Sequence, residues 1–204
     1  MLYFAFIIAS LAVMARPGPD MLAVLGTSVE YGWRKGIGMV TGLVLGVMVW
    51  VIILALLVPK IMSVPTMNIL RIGGIIYIAS LSIKSVRERF TSWLKEAALS
   101  RVSGGTESQM VAKGFIVSLV NPLNLMFLVA FFPQFVHIHP GRDPQAVIFQ
   151  VGATFCLVIL VGYTYLCLGN VRIYNIISPV DGGCRVSKIS SILLAVAAVV
   201  LIFV

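Results

Sequence analysis

Two short stretches of the sequence have residue types and spacing that could do chemistry: Arg16-Pro17-Gly18-Pro19-Asp20, and Asn121-Pro122 with Asn124. Proline lacks an amide donor and clashes with the carbonyl four residues back. Pro17 therefore frees the carbonyl of Val13 and Pro19 that of Ala15, while Gly18 removes the last steric reason for a helix to continue. A helix broken there presents carbonyls at the end of its first half and amides at the start of its second, poles of roughly half a charge and opposite sign. Such poles suit a zwitterion, with an α-ammonium on the carbonyls and an α-carboxylate on the amides. A single proline reads more simply as a kink, and Pro133 is read that way. Asp20 is the one carboxylate placed clearly within an apolar span. A charge at the bilayer centre costs ~3 kcal/mol, which makes Asp20 a functional residue by default, with Arg16, four residues earlier, as its partner. Two roles stay open for it: carrying a proton, or capping amides at a helix start. Asn121 and Asn124 bring amides that both donate and accept, fitted to a polar ligand or to interhelical hydrogen bonds of ~0.6 to 2 kcal/mol. Pro17, Gly18, Pro19, Asp20, Asn121, Pro122 and Asn124 are thus the expected binding site, with Asp20 and Arg16 coupling it to protons.

The elements that position these residues are membrane helices. The chain has 204 residues, 60% of them hydrophobic and 11% charged, whereas a soluble domain is roughly half apolar and about a quarter charged. This excludes a soluble globular enzyme. Apolar runs fall at about 1–30 with an interruption, then 36–58, 67–83, 114–136, 145–169 and 186–204. Each is near the ~20 residues that cross a bilayer as a helix, and no ~10-residue alternating β-barrel strands are present. The expected class is an all-α polytopic membrane protein with six transmembrane helices, the first and fourth of them broken. The fifteen uncharged residues at the N-terminus lack the positive flank and cleavage site of a signal peptide and read as the start of a retained helix.

Lysine and arginine concentrate in the odd loops. The first holds Arg34 and Lys35, the third Lys84, Arg87, Arg89, Lys95, Arg101 and Lys113, and the fifth Arg172, Arg185 and Lys188. The even loops hold Lys60, with Arg71 just inside the next span, and Arg142. By the positive-inside rule the odd loops are cytoplasmic and both termini outside. The net charge of +8 is thereby read as topology and not as a nucleic-acid surface. Residues 84–113 form a basic cytoplasmic linker between a first three-helix repeat, 1–83, and a second, 114–204. Three spans per half force the halves into opposite orientations, the inverted-repeat plan of many secondary transporters. Gly38, Gly42 and Gly46 make a small-residue stripe for close helix packing, within the chain or between two copies in a homodimer. Cys156, Cys167 and Cys184 have neither disulfide nor zinc spacing and read as packing residues. His137 and His139 read as a solvated outer loop, so neither metal nor cofactor is expected.

Pro17-Gly18-Pro19-Asp20, Ser28, Gly32, Gly36, Gly42, Gly46-Val47-Met48-Val49-Trp50, Gly73-Gly74, Tyr77, Gly114-Phe115, Asn121-Pro122 and the stretch from Phe131 to Val136 resemble the lysine and homoserine/threonine exporter (LysE/RhtB) family over nearly the whole chain. The pairing of Pro-Gly-Pro in the first span with Asn-Pro in the fourth is the specific part of the match. The Asp after Pro-Gly-Pro and the Gly-Val-Met-Val-Trp stretch are most similar to the threonine-exporting branch. Ser190-Ser191 stand where that family has glycines. The resemblance implies export of amino acids or their derivatives across a bacterial inner membrane, driven by the proton gradient, with no enzymatic activity. Alternatives from other classes are a metal-ion exporter, for which the apolar core is poor in ligands, and a thiol-redox protein working through two of the three cysteines.

Overall fold

The computed structural model describes residues 2–15, 18–57, 105–138 and 141–177, with single positions at 69, 72, 73, 76, 80 and 192. Six helices account for the continuous segments: α1 (Leu2–Ala15), α2 (Pro19–Tyr31), α3 (Trp33–Leu57), α4 (Glu107–Val120), α5 (Pro122–Ile138) and α6 (Pro144–Ile177). Among the described residues there is no strand. Helix α3 and the stretch Pro144–Gly169 of α6 are each long and apolar enough to cross a membrane. Helices α1 with α2 and α4 with α5 make two bent pairs that, taken together, are also long and apolar enough to cross, the second bent by 56°. The all-α membrane class and the breaks in the first and fourth spans are as expected. Arg16, Pro17, most of the third span, the linker from 84 to 104 and the sixth span lie outside the described residues.

Local chemistry sets the helix ends. Gly18, extended at φ −148° and ψ 179°, stands before Pro19, whose fixed φ suits the first helical position and whose missing N–H would be unpaired there anyway. The Leu22 amide closes the first turn on the Gly18 carbonyl at 3.0 Å. Helix α2 stops at Gly32, whose φ of +87° is a conformation that side chains rarely adopt, and α3 begins at the next residue. Arg34 and Lys35, expected in a loop, fall in the first turn of α3, over the rings of Trp33 and Tyr31 at 5.4 and 5.1 Å. Helix α4 opens on a capping box. Thr106 Oγ1 accepts from the Gln109 amide at 3.4 Å, and Gln109 Oε1 accepts from the Thr106 amide at 3.0 Å. The helix therefore starts ahead of the apolar run, and Lys113 lies on it. Helix α5 continues through Pro133. Asp143 opens α6, its Oδ1 accepting from the Gln145 amide at 3.1 Å, and α6 runs on past Gly169 to Ile177.

Two packing devices hold the described helices together. The first is the glycine stripe. A Cβ on Gly42 would collide with the Val111 carbonyl oxygen, and one on Gly114 with that of Met39. A Cβ on Gly38 would stand 3.2 Å from the Glu107 carbonyl oxygen, and one on Gly46 2.6 Å from Ser118 Cβ. The stripe is thus used within the chain, where α3 meets α4 backbone to backbone, a distance that also suits Cα–H···O contacts. The second is a phenylalanine cluster centred on Phe6 of α1, whose ring lies 5.6, 5.4 and 5.4 Å from those of Phe127, Phe131 and Phe135 on α5 and 6.4 Å from that of Phe155 on α6. All five are fully or almost fully buried. Truncating a buried phenylalanine to alanine costs about 3 to 5 kcal/mol. Phe6→Ala is therefore expected to lower the midpoint of thermal unfolding in detergent by at least 5 °C, read by loss of the monodisperse peak after heating, while the exposed Phe4→Ala leaves it in place.

Candidate functional site

The site lies where the two breaks meet. Gly18 and Pro19 set the direction of α2, and this puts Asp20, in its first turn, inward with only 5% of its surface exposed. Asn121 occupies the second break in two capacities. It ends α4, its N–H donating to the Val117 carbonyl at 3.0 Å, and it caps α5, its Oδ1 accepting from the Leu123 amide at 3.0 Å. That second bond orients the side-chain amide, so its nitrogen faces the other break and donates to Asp20 Oδ1 at 2.8 Å. Asn124, one turn into α5, donates to Asp20 Oδ2 at 2.9 Å and to Ser118 Oγ at 3.3 Å. Both carboxylate oxygens are therefore held by amides from about a hundred residues away. Hydrogen bonds to a charged group contribute about 1.5 to 3 kcal/mol each. Among the described residues, the hydrogen bonds to the Asp20 carboxylate come from these two amides of the opposite break.

These groups line a cavity of about 10 Å³ together with Gly18, Met14 and Tyr163 and the apolar side chains of Val13, Met21, Phe155 and Ile159. A volume of ~10 to 15 Å³ holds one water, so helices must part before the site can take an amino acid. Of the expected site residues, Gly18, Asp20, Asn121 and Asn124 gather here. Pro19 and Pro122 are exposed and do not line the cavity; they act by breaking the helices. Arg16 and Pro17 lie outside the described residues.

Two polar residues of the site had no motif to mark them. Ser118 is fully buried and receives the second N–H of Asn124. Tyr163 of α6, 3% exposed, donates its hydroxyl to the Met14 carbonyl at 3.3 Å. A tyrosine in an apolar run needs a partner for its O–H, which is a signal, but its partner lies at the break in the first span. Cys167 packs into the α2 and α3 contact, where a Cβ on Gly36 would stand 2.9 Å from its Sγ and collide with Ser28 Oγ. Cys156 lies on the same helix, α6, and Cys184 is outside the described residues, as are His139 and the side chain of His137.

Asp20, the one buried carboxylate among the described residues, is shared between two broken helix pairs, and discontinuous helices around a central polar site are the plan of many secondary transporters. The chain belongs to the LysE type translocator family, whose profile matches residues 11–204. It is similar to a homoserine/homoserine lactone efflux protein of Salmonella typhimurium, 25% identical over 80% of this chain and 79% of the relative. It is equally similar to a leucine efflux protein of Klebsiella pneumoniae, 25% identical over 82% and 78%. An uncharacterized membrane protein of Vibrio cholerae is 25% identical over 80% of each chain. No solved structure matches the chain.

Proposed function

We propose that this protein exports small amino acids or their derivatives across the bacterial inner membrane, taking the substrate at the site between the two breaks and coupling its passage to a proton on Asp20. The reading rests on one observation above the rest: Asp20 of α2 is bound by Asn121 and Asn124 of the opposite break at 2.8 and 2.9 Å. A carboxylate that joins two broken spans can exchange partners with a substrate or a proton, and any such exchange changes how the spans are held to each other. The small size of the cavity, too small for an amino acid, supports alternating access, with 1–83 and 114–204 rocking as inverted repeats about the linker 84–113. Arg34 and Lys35 would border the cytoplasmic gate, and Arg16 would share the proton coupling with Asp20. The names of the relatives point to homoserine, its lactone or leucine as the class of substrate. One charge crossing 100 mV supplies ~2.3 kcal/mol, and ~1.4 kcal/mol is a tenfold ratio, so one proton per substrate sustains a gradient of some tens to one.

Neither alternative gains an observation. Among the described residues no three of His, Cys, Asp and Glu gather as a metal site, and Cys156 and Cys167, eleven positions apart on α6, are separated by ~16 Å of helix rise.

The test is uptake of labelled leucine, homoserine and threonine into inverted membrane vesicles, with and without an imposed proton gradient. At least one is expected to accumulate tenfold or more over vesicles without the protein, and only with the gradient. Failure of all three, and of homoserine lactone, in vesicles holding folded and correctly oriented protein would overturn the reading.

A further inference from the structure

We propose that Tyr163, with the backbone carbonyl of Met14 and the carboxylate of Asp20, forms an ammonium subsite, and that Tyr163 is the residue by which the site prefers a primary ammonium; this rests on the exporter reading above.

The argument follows the proton of one hydroxyl. In an unbroken helix the Met14 carbonyl would accept from the amide of Gly18. Here it accepts from Tyr163 Oη at 3.3 Å. A carbonyl has no proton to give, so the tyrosine must be the donor, and its only proton is committed. What its oxygen keeps for other partners is acceptor capacity. The Met14 carbonyl likewise has two lone pairs, and the tyrosine takes one. Met14, Asp20 and Tyr163 line the same cavity. The residues that line the cavity thus carry a hydroxyl oxygen, a carbonyl oxygen and a carboxylate, three acceptors for the three N–H donors of a primary ammonium. Asn124 adds no donor to compete, because its two N–H groups go to Asp20 and Ser118.

The contact is a built one. Gly162, the neighbour of Tyr163, leaves the space that the Met14 side chain fills: a methyl on Gly162 would collide with Met14 Sδ. Side chain and carbonyl of Met14 are therefore both received by consecutive residues of α6. At 3.3 Å the O–H···O bond is longer than the usual 2.7 to 2.8 Å, so it is more easily re-aimed when a ligand enters than the 2.8 and 2.9 Å bonds to Asp20.

The experiment compares leucine with N-methyl-leucine, whose ammonium has one N–H fewer, in vesicles carrying the parent, Tyr163→Phe or Tyr163→Met. Met is a second hydroxyl-free residue able to fill the same space should Phe not accumulate. The readout is the ratio of half-saturating concentrations for the two compounds, which does not depend on how much protein is folded. The parent is expected to prefer leucine by tenfold or more, and the hydroxyl-free variants by threefold or less, chiefly through weaker binding of leucine. A ratio that stays at the parent value in a variant that transports overturns the subsite, even if maximal rates fall, because a purely structural tyrosine would have that signature. No discrimination by the parent also overturns it. No transport of any amino acid or lactone by the parent overturns the exporter reading and this inference with it.

Discussion

Asp20→Ala is expected to lower amino-acid export at least a hundredfold while the protein still reaches the membrane. The change removes the acceptor of two buried amide donors, Asn121 Nδ2 and Asn124 Nδ2. Hydrogen bonds of this kind contribute about 1.5 to 3 kcal/mol each, and about 3 kcal/mol in total corresponds to a hundredfold. The helices themselves should persist. Gly18 and Pro19 start α2 without a side-chain cap, and the Phe6 cluster and the α3 and α4 seam hold the helices through ring and backbone contacts that do not use the carboxylate. Asn121→Ala is expected to be more harmful to stability than Asn124→Ala. Asn121 also caps α5 through the Leu123 amide, and losing a cap costs a further ~1 kcal/mol. Export assays normalised to membrane content separate the two effects. Normal export by Asp20→Ala would remove the carboxylate from the mechanism altogether.

Gly42→Leu is expected to prevent the protein from accumulating, to a tenth of the parent level or less. A Cβ at position 42 would collide with the Val111 carbonyl and stand 2.7 Å from the Phe115 amide nitrogen, where comfortable contacts are about 3.5 to 4 Å. Both obstacles are backbone, so no side chain can turn aside. Overpacking into a deformable core costs about 1 to 3 kcal/mol, and a seam with backbone on both sides should lie at or beyond the upper end. The disturbance also reaches the site. Ser118, which receives Asn124, lies on α4 against Gly46, so parting α3 from α4 moves a support of the Asp20 cluster. Gly26→Ala is the matched control, because a Cβ there meets nothing within 4 Å. Equal accumulation of the two variants would show that the seam is not the close contact described.

How far this could be read from sequence follows from which interactions are local. Pro19, Gly18 and Pro122 act on their own helices, so the breaks could be placed to the residue. The glycine stripe announced a close packing but not its partner, because the facing small residues on α4, Gly114 and Ser118, make only one four-residue step and nothing in them points to α3. Helix starts were misjudged at Glu107 and Trp33: hydropathy reports where lipid begins, whereas the Thr106 and Gln109 capping box and the Gly32 turn report where hydrogen bonds begin. Arg16 was the expected partner of Asp20 by its spacing of four. The partners found among the described residues are Asn121 and Asn124, which only the folding of one half against the other brings near. Tyr163 was missed for the same reason: its acceptor is a backbone atom 149 positions earlier, and a backbone atom leaves no mark in a sequence.

The central claim is that Asp20, held between the two breaks, is the coupling group of a proton-driven exporter. Asp20→Asn tests it most directly, because asparagine keeps the shape but has no titratable proton: its oxygen can still accept from Asn121 Nδ2, and its NH2 can donate to Asn124 once that amide turns its oxygen inward. Inverted vesicles carrying the parent or the variant are compared in gradient-driven uptake and in counterflow exchange of labelled leucine or homoserine. The account predicts that the variant loses gradient-driven accumulation and retains counterflow within a fewfold of the parent. Gradient-driven accumulation at the parent's level in Asp20→Asn would contradict it.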